Sequence, residues 1–141
     1  MSSRRRPPVN GKVSKALKPY RARLRDHSVA FTKASVKLAH ATIGQTPFNR
    51  LTPETTAALA ALATWQRDVE RARKKVRAVS SKAPGQKLAL QWLGSLSASL
   101  GFMNQSLSLT DPQLASTAAK RAERSFRESH QLSDRLARVI V

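Results

Sequence analysis

The chain contains no cysteine, which excludes disulfides, thiolate metal sites and cysteine nucleophiles. Acid is scarce as well: eight Asp or Glu stand against 26 Lys or Arg, a formal charge of +18. Only seven side chains are aromatic (Tyr20, Phe31, Phe48, Trp65, Trp92, Phe102 and Phe126), so the core has to be mostly Leu, Val and Ala. The five glycines and seven prolines sit mostly between periodic segments, where helix boundaries belong.

Long unbroken apolar runs are also missing. Residues 88–110 carry no charge and have the length of a membrane span. Gln91, Asn104, Gln105 and five serines interrupt that stretch, and each polar group would need a partner inside lipid. A helix inside a bundle fits the same residues better. No apolar segment follows Arg4-Arg5-Arg6, which argues against a secretory signal. The opening segment is rich in Arg and Ser and free of acid, so an organelle transit peptide stays open.

What is present points to helix. Ala, Leu, Lys and Arg dominate and β-branched residues are few. Tyr20, Leu24, His27, Phe31, Ala34, Leu38 and Ala41 repeat at alternating steps of four and three, the stripe of one helix. Val13 and Leu17 extend it upstream. Thr52-Pro53-Glu54 and Asp111-Pro112 are helix starts, each a capping side chain followed by proline. The second helix is expected to bury Leu59, Leu62, Val69, Val76 and Val79, with Trp65 and Ala72 at the edge. The third carries Leu93, Leu96, Leu100, Met103 and Leu107 on one face. Its lack of charge predicts the most enclosed helix of the set. Gly94 and Gly101 within it predict close approach of a neighbouring helix, because helical Gly costs about 1 kcal/mol relative to Ala. On the fourth, Leu114, Ala118, Ala122, Ser125, Ser129, Leu132, Leu136 and Val139 share a face.

The expected fold is therefore all-α. It is an antiparallel up-and-down four-helix bundle over residues 19–141, behind a disordered basic arm at 1–18. The helices are expected at about 19–43, 53–80, 86–109 and 112–140. Pro7-Pro8 and Asn10-Gly11 argue against helix in the arm.

Charge carries the functional expectation. Arg4, Arg5, Arg6, Lys12, Lys15, Lys18, Arg21, Arg23 and Arg25 precede the first acid, Asp26. Such a run binds phosphate backbones by counterion release, without sequence preference. Arg67, Arg71, Lys74 and Lys75 project opposite the buried stripe of the second helix, with Asp68 and Glu70 at the sides. Lys120, Arg124, Arg127, Arg135 and Arg138 form a ridge on the fourth. Arg121 and Glu128 fall at its inner edge and would need partners there. No zinc-finger spacing, RNP-like aromatic set or basic zipper accompanies these cations. Phe48, between Pro47 and Arg50, could stack on a base or plug the bundle end.

Catalytic patterns are missing: no Gly-rich phosphate loop, nucleophile elbow or paired carboxylates appear. His27 lies on an apolar stripe and reads as a hydrogen-bonded core histidine; His40 and His130 point away from theirs. No His, Asp and Glu set has metal-ligand spacing. Trp92-Leu93-Gly94 is similar to the WxG turn of small helical secretion substrates, but here it falls inside a helical pattern and implies no function.

The sequence thus predicts a non-enzymatic polyanion binder with no cofactor, nucleic acid being the first partner. An acidic protein or self-association is the alternative. Peripheral membrane binding ranks lower, since no helix sets bulky apolar residues beside a basic face. The expected location is cytoplasmic, on the nucleoid if nucleic acid is the partner.

Overall fold

A computed structural model describes residues 8–42 and 52–140. Four helices account for nearly all of them: α1 (Pro8–Thr42), α2 (Pro53–Arg77), α3 (Gln86–Ser108) and α4 (Pro112–Val139). They form an all-α four-helix bundle in which α1 packs on α2, α2 on α3 and α3 on α4. The side chains at the two predicted starts do the capping. Thr52 Oγ1 accepts from the Thr55 amide at 3.1 Å, and Asp111 Oδ1 from the Gln113 amide at 2.8 Å.

Helix α1 begins at Pro8, not at Pro19, and passes through Pro19 without ending. Residues 8–18 therefore belong to the helical body; only 1–7 of the expected arm lie outside the described residues. An interior proline costs about 3 kcal/mol, through a lost hydrogen bond and a clash with the preceding turn. Val13 and Leu17 offset that cost. They are 0% and 1% exposed, and burying each stabilises by roughly 1.5–3 kcal/mol. Pro19 and Lys15 are exposed, so the carbonyl that loses its partner lies on the wet side.

The core runs through all four helices: Leu24 and Phe31 from α1, Leu62 and Val69 from α2, Leu93 and Leu100 from α3, Leu136 from α4. Trp65 and Ala72 are buried in it, and Leu59 and Val79 form the edge, the reverse of the expected order. On α4 Ala118, Ala122, Ser129, Leu132 and Leu136 are buried as expected, and only the ends of the stripe differ. Leu114 and Val139 are exposed, while Ala115 and Ile140 are buried.

Helix α3 is the most enclosed of the four, as its lack of charge predicts, and its exposed positions include a neutral polar edge. It is flanked by α2 and α4, and Gln91, Gly101, Asn104 and Gln105 form part of that edge. Neither Gly94 nor Gly101 is a close-packing glycine, since a Cβ at either meets nothing within 4 Å. The glycine that matters for packing is Gly85, at the start of α3. Its φ of +86° lies in the left-handed region, and a Cβ there would sit 2.7 Å from Ile140 Cγ2. It lets the α2–α3 turn close against the C-terminal end of α4.

Candidate nucleic-acid interface

Cations are unevenly distributed over the bundle. Helices α1 and α2 carry fourteen Lys or Arg against four Asp or Glu; α3 and α4 carry seven against three. The seam between α1 and α2 holds the first organised group. Asp68, expected on the surface, is buried in this seam. His27 Nε2 donates to its Oδ2 at 2.7 Å across the helix pair, and Arg71 donates to Oδ1 at 3.3 Å. Burial pushes the Asp68 carboxyl up. The His27 hydrogen bond and the charges of Arg23, His27 and Arg71 outweigh it and hold the group below its ordinary value. A carboxylate kept ionised can only accept, so Nε2 of His27 carries the proton. His27 is thus a hydrogen-bonded histidine packed at the core edge.

Between α2 and α3 lies a cleft of about 830 Å³. Arg67, Arg71 and Lys74 stand on its α2 lip, and Asn104 and Gln105 face them from α3. Gly101 leaves the α3 wall bare at this level. Cations on one side and neutral amides on the other suit a phosphate backbone with hydrogen-bonding groups beside it. One carboxylate, Glu70, also reaches the cleft. It accepts from Arg73 at 3.1 Å and from Ser97 Oγ at 2.9 Å, while Gln66 Nε2 donates to Ser97 Oγ at 2.7 Å. Burial raises the Glu70 carboxyl, but the Ser97 and Arg73 hydrogen bonds prevail and keep it low. Its negative charge is therefore partly spent on Arg73.

The other predicted cations do not converge on this cleft. Lys12, Lys15 and Lys18 are exposed on the first turns of α1, held at helical spacing. Arg23 is exposed on the α2 side, within electrostatic reach of Asp68. Arg21 and Arg25 turn the other way, to a second cleft between α1 and α4. Lys75 is exposed outside both clefts. Lys120, Arg124 and Arg127 are exposed on α4, where Arg127 pairs with Glu123 at 3.0 Å. Arg4, Arg5, Arg6 and Phe48 lie outside the described residues.

No family model, curated protein or solved structure matches this chain. Its functional reading rests on its own geometry.

The inner-edge charges expected on α4 are exposed and need no buried partner. Arg121 places its guanidinium 6.0 Å from the Phe102 ring centroid, a cation–π contact, and Glu128 is exposed. Among the described residues no three or more His, Asp or Glu are grouped to hold a metal ion. Among the same residues no helix is long and apolar enough to cross a membrane. The sequence contained part of the α2 network: Gln66, Glu70 and Arg73 are three or four residues apart, a spacing at which helix neighbours pair. Ser97 and His27 reach the same helix from 27 and 41 residues away, and no local spacing signals either contact.

Proposed function

We propose that this protein binds an anionic polymer, nucleic acid first, on the α1–α2 half of the bundle, with the α2–α3 cleft as the defined contact. The observation that carries the reading is the convergence of Arg67, Arg71 and Lys74 on one lip, opposite the neutral amides of Asn104 and Gln105. Lys12, Lys15, Lys18 and Arg23 on α1 extend the positive surface. Recognition of this kind is electrostatic and largely indifferent to sequence. A binding role, without catalysis, suits a surface whose organised carboxylates, Asp68 and Glu70, are engaged with cations. On this reading the protein works where nucleic acid is found, in the cytoplasm or on the nucleoid.

The test is fluorescence anisotropy of labelled single-stranded and duplex oligonucleotides across a salt series. Affinity should fall steeply with salt, and log K should lose about 0.7–0.9 per phosphate contact per decade. Binding that is absent, or insensitive to salt, overturns the reading. Removal of residues 1–18 is the wrong truncation, because it deletes the buried Val13 and Leu17. Replacing the exposed Lys12, Lys15 and Lys18 by Gln probes charge alone.

A second reading, assembly through a helical face, draws support from Val29 and Val36. They lie seven residues apart on α1 and are each about half exposed. Light scattering at low and high salt tests it: a salt-resistant oligomer supports assembly, and a monomer throughout removes it.

A further inference from the structure

Both tryptophans of the chain, Trp65 and Trp92, line the cleft between α1 and α4. This cleft measures about 820 Å³, within the roughly 300–1,000 Å³ typical of small-molecule sites. Its floor is aromatic. The Trp65 ring stacks on Phe126 at 5.9 Å and meets Phe31 at 6.1 Å, tilted. Trp92 is only partly covered. The cleft is also elongated. It follows α1 from Leu17 to Thr32, about 22 Å at 1.5 Å per residue.

The polar groups around it have one character. Arg21 and Arg25 stand exposed on the α1 rim and His130 on the α4 rim; no Asp or Glu lines the cleft. The remaining polar lining is hydroxyl: Ser28, Thr32, Ser129 and Ser133. Thr32 and Ser129 donate to carbonyls of their own helices, at 2.8 Å each. The floor holds a further donor, since Trp65 Nε1 is buried with no partner. An apolar trough with cations at its edge and no anion complements a ligand with an apolar body and a negative head. It repels the opposite amphiphile.

We propose that the α1–α4 cleft binds a single-chain amphiphilic anion, its tail over Trp65 and Trp92 and its carboxylate or phosphate head at Arg21 and Arg25. The site is separate from the α2–α3 cleft and stands whether or not a polymer binds there. A long-chain carboxylate and a long-chain phosphate monoester share the required chemistry.

The two tryptophans report on the site directly. Full-length protein is titrated with dodecanoate, dodecyl phosphate and dodecyltrimethylammonium below their micellar concentrations, following tryptophan emission. Both anions should give a saturable blue shift as Trp92 loses water, and the cation should bind more weakly by at least about tenfold. The relative affinities of the two anions tell a carboxylate head from a phosphate head. Arg21→Gln/Arg25→Gln should weaken both anions by on the order of tenfold with the helical circular dichroism unchanged. Ser133→Leu places bulk in the cleft without altering charge and should weaken both anions as well. Arg67→Gln/Lys74→Gln, on the other cleft, should leave the titration unchanged. Equal response to anion and cation, a response that never saturates, or a response only to an acidic helical peptide overturns the proposal.

Discussion

The two clefts are nearly equal in volume, about 830 and 820 Å³, yet they are made from different parts of the molecule. The α2–α3 cleft is dressed with surface side chains. Arg67 and Lys74 are exposed and contribute little to the fold, while Arg71 also pairs with Asp68 and the core residues Leu62 and Leu100 lie at the base. The α1–α4 cleft is floored by the core itself, since Phe31 and Trp65 are at most 8% exposed. The first can lose the charges of Arg67 and Lys74 and leave a folded protein. The second cannot lose its floor without losing stability. The reason lies in the packing order: α1 is held by α2 and α4 by α3, so an open seam between the outer helices bares part of the core.

The largest expected effect separates the clefts on this ground. Trp65→Ala should destabilise by roughly 3–5 kcal/mol, whereas Arg67→Gln/Lys74→Gln should stay within about 0.5 kcal/mol for each exposed side chain. Urea unfolding followed by circular dichroism checks both. Equal losses would erase the distinction between a core floor and a surface lip.

Gly85 comes next. A branched side chain there meets Ile140, at a backbone conformation that L residues avoid. Gly85→Val should cost roughly 2–4 kcal/mol, the combined scale of left-handed strain and overpacking. It should also disturb the α1–α4 cleft, which Ile140 and Leu136 help to line, and spare the other. Thermal unfolding with tryptophan emission reads both effects.

Two carboxylates of α2 give a pH signature, Asp68 in the α1–α2 seam and Glu70 beside the α2–α3 cleft. Asp68 and Glu70 are both held below their ordinary values in the folded chain. Such groups contribute stability that is present above the ordinary carboxylate range and lost as pH falls through their lower folded values. Stability should therefore decline below about pH 4. Asp68→Asn should flatten that decline and cost about 1–3 kcal/mol at neutral pH, because His27 and Arg71 lose a charged acceptor. A midpoint series from pH 2 to 7 on both proteins decides it; identical acid limbs would rule out a role for the seam.

The smallest effect has the opposite sign. Gly101→Ala should stabilise by about 0.5–1 kcal/mol, since the added methyl meets open space in a helix interior. It should also narrow the α2–α3 cleft. A gain in stability together with weaker oligonucleotide binding would tie this glycine to the cleft.

These contrasts show where the sequence was readable. The apolar stripes and the caps at Thr52 and Asp111 depend on local spacing, and the helices follow them closely from residue 53 on. The start of α1 was misread because the local signals of Pro7-Pro8 and Asn10-Gly11 outweighed a stripe that Val13 and Leu17 had already extended. Tertiary burial reversed that balance. Charge spacing placed Arg67, Arg71 and Lys74 together on an exposed face of α2, as found. It could not tell that Arg23 turns toward α2 while Arg21 and Arg25 turn toward α4, because that depends on which helix lies on each side. Uncharged α3 is the most enclosed helix, as expected; which of its neutral polar residues form the exposed edge depends on where α2 and α4 pack.

The central claim is that the α2 lip contacts an anionic polymer. Oligonucleotide affinity measured from low to high salt on the natural chain and on Arg67→Gln/Lys74→Gln tests it most directly. The account predicts weaker binding by the variant and a slope of log K against log salt shallower by about 1.5, two phosphate contacts' worth. An unchanged affinity and slope in the variant would contradict it.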